Sequence, residues 1–66
     1  MKIKYFAQTD TLLITLSDRE ILETHDWSEN VLVDVDKDGK PVSITIEHAQ
    51  AIANLDEFSY QQITSG

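Results

Sequence analysis

Cysteine is absent from this 66-residue sequence, and proline occurs once and glycine twice. Without cysteine, neither disulfides nor thiolate zinc sites can stabilise the chain. Two glycines also exclude a glycine-rich phosphate loop. No stretch approaches the roughly 18 consecutive apolar residues of a membrane-spanning helix. A chain this short buries only about 60% of its unfolded surface, so we expect a single domain, residues 1–66, that a second copy or another protein stabilises.

Basic residues are also scarce, because 5 lysines and arginines stand against 12 acidic residues and give a net charge of −7. Nucleic acids and anionic membranes attract lysine and arginine, so this charge argues against both as partners. It favours a basic protein partner, with the alternative that acidity only keeps a small domain soluble. The opening MKIKYFAQTD has no apolar run behind its two lysines, which predicts no secretory signal and a cytoplasmic protein.

Short apolar runs separated by polar turns predict several strands. The predicted strands lie near residues 2–6, 12–17, 20–26, 31–36 and 42–47. The runs VLVDVD and VSITIE alternate β-branched residues on either side of the turn KDGKP, which predicts a hairpin. The run ILETHDW has no cleanly apolar face, which is typical of an edge strand.

Towards the end of the chain, the spacing of the apolar residues changes from that of a strand to that of a helix. Ala49, Ile52 and Ala53 have the spacing of one helix face, which predicts a short helix near residues 48–54. The aromatic residues that follow alternate, which favours a last strand over 58–63, with a longer helix as the alternative.

These elements predict the fold class α+β. We expect a small, mostly antiparallel β-meander of four to five strands with one short C-terminal helix packed on one face. The face expected to receive the helix is lined by Val33, Val35, Ile44 and Ile46.

The stretch DVDKDG, residues 34–39, has the oxygen ligands and glycine that open an EF-hand calcium loop. Position 12 of such a loop would be Thr45, which cannot replace the bidentate glutamate, and both flanks are predicted strands. We therefore interpret the stretch as a turn and assign no metal ligand. A cation site at Asp34, Asp36 and Asp38 is the weaker alternative.

Catalytic constellations are not evident in the sequence. The only histidines, His25 and His48, lie in separate elements without the i, i+4 spacing of a helical metal pair. We therefore expect no enzyme activity, no catalytic residue and no cofactor. Residues 18–36 hold seven acids and one base, and Trp27 is of a type enriched at interfaces, or else it covers one end of the sheet. The expected partner-binding residues are Glu20, Glu23, Asp26, Trp27 and Glu29.

Several short motifs occur together in residues 1–50. They are K-I-x-Y at 2–5, D-x-L-x-I-x-L-S at 10–17, E-N-V at 29–31, D-x-D-x-D-G-x-x-V-x-I-x-I at 34–46, and an alanine at 49. In this combination the chain resembles the small bacterial family known as Domain of Unknown Function 2283. The resemblance implies no assigned activity, and it implies only loosely an antitoxin-type role beside a small toxin-like protein.

Three functional hypotheses follow from the sequence. The first is a non-catalytic interaction protein that binds a basic protein partner through its acidic residues. The alternative is a self-associating structural homodimer. Cation binding at the acidic turn is the weakest of the three.

Overall fold

The computed structural model describes residues 1–65 as a five-stranded antiparallel sheet with one short helix. The elements are β1 (Lys2–Phe6), β2 (Thr11–Thr15), β3 (Glu23–Ser28), β4 (Val31–Val35), β5 (Pro41–Glu47) and α1 (Ala49–Ile52). The predicted α+β class is confirmed, and so is the hairpin, which β4 and β5 form around the acidic turn.

The strands are ordered β1-β2-β5-β4-β3, so the last strand in the chain is the central strand of the sheet. The connection from β2 to β3 therefore crosses the ends of β5 and β4. The prediction that the third strand is an edge strand is confirmed. This strand covers Glu23–Ser28 rather than 20–26, because Leu22 only begins the pairing, with its N–H donating to the Val35 carbonyl at 2.8 Å.

Cross-strand pairing sorts the side chains onto two faces, because directly opposed residues share a face and successive residues alternate. Ile44 lies opposite both Ile14 and Val33, and Ile46 lies opposite both Leu12 and Val31. We call this side of the sheet the apolar face. Its apolar side chains are Ile3, Tyr5, Leu12, Ile14, Val31, Val33, Val35, Val42, Ile44 and Ile46.

The other side of the sheet, which we call the polar face, carries a cross-strand hydrogen-bond network. The Thr24 hydroxyl donates to Asp34 Oδ1 at 2.6 Å, and the Ser43 hydroxyl donates to Asp34 Oδ2 at 2.6 Å. Asp34 therefore joins three neighbouring strands. Such a satisfied network is stable beside water, although Leu13 and Leu32 also lie on this side, opposite Thr45.

Little of the molecule is buried. Val35, Val42 and Ala49 are the buried apolar residues, and no large side chain in the described residues is fully buried. The predicted short helix is present and packs through Ala49, which is fully buried, but it is too short to cover the apolar face. Val33, Ile44 and Ile46 stay partly exposed, and α1 makes no extensive contact with any strand. A helix of four residues is about 6 Å long, whereas five strands span about 24 Å.

The chain beyond the sheet also differs from the sequence prediction. The helix occupies Ala49–Ile52 instead of 48–54, because Ala53 is already extended, with φ −126° and ψ 152°. The last strand expected over 58–63 does not form, and Phe58, Tyr60 and Ile63 are exposed. No helix within residues 1–65 is long and apolar enough to cross a membrane.

Candidate functional site

The apolar face is the surface on which we build the candidate site. Its central row runs through Ile3, Ile14, Ile44 and Val33, and His25 ends the row on β3. Ile3 is 40% exposed at the β1 edge, and the side chains of Ile14, Ile44 and Val33 are half-buried. A contiguous apolar surface of this kind is typical of a contact with another protein rather than of a reaction site.

Tyr5 ends the apolar face at one corner. Its hydroxyl donates to Asp10 Oδ1 at 2.7 Å and accepts from Gln50 Nε2 at 3.1 Å. The hydrogen bond to the Asp10 carboxylate, together with the smaller effect of desolvation, raises the pKa of Tyr5 above its usual value. The hydroxyl therefore stays protonated at neutral pH and joins β1 to both the β1–β2 turn and α1.

Asp10 fixes the start of α1 although the two are 40 residues apart in the chain. Its carbonyl accepts the Ala49 N–H at 3.0 Å, and its Oδ1 accepts the Gln50 N–H at 3.1 Å. The N-cap residue of α1, His48, makes no side-chain capping bond, and its Nδ1 lies 3.0 Å from Asn30 Oδ1 instead. Asp10 therefore takes the place of the capping residue. Both Asp10 and His48 adopt a left-handed φ of 54°.

The other end of the sheet is closed by an ion pair between Arg19 and Asp36. Arg19 Nε lies 2.8 Å from Asp36 Oδ2, and Arg19 Nη2 donates to the Pro41 carbonyl at 2.8 Å. Asp36 Oδ1 also accepts the N–H groups of Asp38 and Lys40 at 2.8 and 2.9 Å. These bonds attach the connection between β2 and β3 to the β4–β5 turn.

We expect acid to destabilise the protein through Asp36. The Lys40 N–H holds the pKa of Asp36 below its usual value, with further lowering by the Asp38 N–H and Arg19, although burial opposes the shift. The folded state therefore binds this proton less readily than the unfolded chain does. Asp36 stabilises the fold above a pH of about 4, and this contribution is lost as the pH falls through the lower folded-state pKa.

Thermal melting of parent and Asp36→Asn proteins between neutral pH and pH 2 measures this effect. The parent should lose melting temperature below about pH 4, and the variant should lose less because it lacks the carboxylate. Asp38→Asn removes an acid from the same turn and keeps both N–H donors, so it should retain the parental profile. Identical profiles for the parent and Asp36→Asn would contradict the role assigned to Asp36.

The stretch DVDKDG ends β4 and begins the β4–β5 turn, in which Gly39 has a φ of 78° and donates its N–H to the Asp36 carbonyl at 3.0 Å. Glycine adopts this left-handed conformation without steric cost. Asp34 and Asp36, two of the three acids proposed for a cation, already bind internal partners. Across residues 1–65, no three His, Cys, Asp or Glu side chains come close enough to hold a metal ion.

The acidic residues expected to bind a partner surround β3 without forming a single cluster. Glu20 precedes the strand and Glu29 follows it. Glu23 shares the side of the apolar face with His25, and its Oε2 lies 2.8 Å from His25 Nε2. Asp26 points to the polar face, by the alternation of side chains along the strand. The carboxylates therefore line both sides of one free edge.

Trp27 lies where the pairing of β3 with β4 changes register. The irregularity falls between Asp26 and Ser28, and Trp27 is 75% exposed. Bulges of this kind turn a side chain away from the regular face and disturb an edge. Trp27 therefore projects from the sheet beside the acidic residues.

Sequence reasoning missed the central row as a site, because it assigned these residues to a core beneath a helix. The sequence did indicate that the face would stay uncovered, through the relative lengths of its strand pattern and its helix pattern. Apolar alternation extends over several strands, whereas the helical period covers only Ala49, Ile52 and Ala53. A helix that short cannot bury a surface of that size.

Comparison with known proteins agrees with the motifs in the sequence. The family model described as "Protein of unknown function (DUF2283)" matches residues 2–50, a range that contains all five strands. No curated protein and no solved structure matches the chain. Because the match covers well over half of its residues, the chain belongs to this family of proteins of unknown function, DUF2283.

Proposed function

We propose that the protein is a non-catalytic interaction module that binds another protein chain through the apolar face of its sheet. One observation supports this proposal above all: α1 makes no extensive contact with any strand, and Ile14, Ile44 and Val33 are only partly buried, although Val35 and Val42 at one end of the face are buried. A sheet gains its stability by burying an apolar face against a second layer. A second layer from outside the chain would supply this burial.

The overall dimensions support the same proposal. The radius of gyration is 13.4 Å, whereas a compact domain of this length has about 11 Å. A domain of about 60 residues is only marginally stable in water, because too little apolar surface is removed from solvent. Binding through the apolar face would therefore stabilise the fold and the complex together.

Solution mass and the binding of a fluorescent apolar dye together test the proposal. We expect either a particle larger than the 7.5 kDa chain or a monomer whose open face binds the dye 1-anilinonaphthalene-8-sulfonate. Both measurements should be made at low and at high salt, because apolar contacts persist when charges are screened. A 7.5 kDa monomer that binds no dye would overturn the proposal, since its face would then be covered by its own chain.

The β3 edge supports a second candidate function, the binding of a small basic protein in an antitoxin-like role. The specific observation is that Trp27 projects from a free edge between Glu23, Asp26 and Glu29, on a chain of net charge −7. Exposed carboxylates would attract a basic surface and the indole would supply apolar contact. Binding at this edge would weaken with added salt, unlike binding at the apolar face.

A further inference from the structure

The charged groups of the apolar face lie at its margins. Glu23 and His25 are its ionisable side chains on β3, and their Oε2 and Nε2 atoms lie 2.8 Å apart. At the opposite margin, the Tyr5 hydroxyl is occupied by Asp10 and Gln50. The middle of the face, on β2, β5 and β4, therefore carries only apolar side chains and can meet an identical surface without opposing like charges.

Most of the acidic residues that give the chain its net charge lie away from this face, of which Glu23 is the acid on β3. Asp34 is bound on the polar face, and Asp36 is bound in the β4–β5 turn. Burial of the apolar face would leave these carboxylates where they are, with their present partners. Two chains of net charge −7 could then associate while most of their acids stay in water.

The amount of exposed surface agrees with what a dimer needs. The accessible area is 5519 Å², about 1,300 Å² above the value expected for a compact 7.5 kDa chain. The exposed tail of residues 56–65 contributes to this excess together with the sheet. A standard interface buries about 800 Å² on each partner, which is less than this excess.

We infer that the occupant of the apolar face is a second copy of this chain. The two five-stranded sheets pack face to face about a two-fold axis, at the spacing of about 10 Å found in β-sandwiches. Ile44, in the middle of the central strand, lies near the axis, together with Ile14 and Val33. This inference rests on the proposed function and deepens it by naming the partner.

The dimer leaves the sheet edges and both polar faces outside. The β3 edges, with Trp27 and their carboxylates, stay exposed, so each dimer presents two copies of the acidic edge. An isologous interface closes on itself and needs no third copy. The assembly is therefore limited to two chains.

Cysteine cross-linking tests this arrangement sharply because the chain has no cysteine of its own. Single variants Ile14→Cys, Ile44→Cys and Val33→Cys place one thiol each in the central row, and cysteine packs as a small apolar residue. Oxidation with copper phenanthroline should join at least one of them into a covalent dimer on a non-reducing gel. Thr45→Cys, on the polar face of the same strand, is the matched control and should stay unlinked.

The mass of the parent protein by light scattering completes the experiment, with about twice 7.5 kDa expected in both low and high salt. A monomer that binds the apolar dye would overturn the second copy as occupant but leave the proposed interaction module standing. A monomer without dye binding would overturn both. A dimer that cross-links through Thr45→Cys, or through none of the central-row variants, would place the interface elsewhere and overturn the inference.

Discussion

The Ile44→Lys variant is expected to be a monomer that melts at least about 10 °C below the parent protein. Ile44 lies between Ile14 and Val33 in the middle of the apolar face. In the proposed dimer, the substitution removes an apolar side chain whose burial contributes about 2 kcal/mol of stability in each chain. It also places an unpaired ammonium group between the two sheets. Sedimentation equilibrium measures the mass, and circular dichroism measures the melting temperature.

Two controls separate this effect from the loss of stability that an added lysine causes at any position. Thr45→Lys introduces the same charge on the polar face of the same strand, and Ile63→Lys makes the same substitution where the side chain is 85% exposed. Both are expected to keep the parental mass and to melt within a few degrees of the parent. If Ile44→Lys also keeps the parental mass, the apolar face is not the interface between copies.

The Asp10→Ala variant is expected to lower the free energy of unfolding by about 2 kcal/mol. Roughly half of this loss comes from the capping bond to the Gln50 N–H, and the other half from placing alanine at a φ of 54°. The variant also removes the acceptor of the Tyr5 hydroxyl. For a domain of this size, the melting temperature should fall by about 10 °C, as thermal or urea denaturation would show.

Asp10→Asn is the matched control, because asparagine keeps an oxygen acceptor and tolerates the left-handed conformation. We expect it to retain most of the stability. A pH titration of the tyrosine absorbance gives a second measure, because it reports the pKa of Tyr5. Loss of the Asp10 carboxylate should lower this pKa towards its usual value. Equal stability of the parent and Asp10→Ala would contradict the capping role.

Much of the fold could be predicted from local patterns in the sequence. The β4–β5 hairpin followed from two alternating runs around the acidic turn, since a hairpin pairs residues that are close in the chain. The edge position of β3 followed from its mixture of charged and apolar residues on both sides. Alternation also placed Ile44 and Ile46 on one side of the sheet, as the pairing shows.

Features that depend on distant residues did not follow from the sequence. Nothing in the local pattern of β5 shows that it pairs with β2 as well as with β4. Nor does the turn before Thr11 reveal that Asp10 caps a helix 40 residues later. The helix ended sooner than its apolar spacing suggested because Ala53 is extended. That early end decided the candidate site, since it left the apolar face uncovered.

The central position of β5 determines the order in which this sheet can be completed. The hairpins β1–β2 and β3–β4 can each form from neighbouring residues, but isolated hairpins are marginally stable in water. They become one sheet only when Pro41–Glu47, the last strand to be synthesised, enters between them. A nascent chain that stops short of this segment therefore keeps two separate hairpins, each with an open inner edge. Folding thus depends on contacts of long sequence separation, which in small domains go with slower folding.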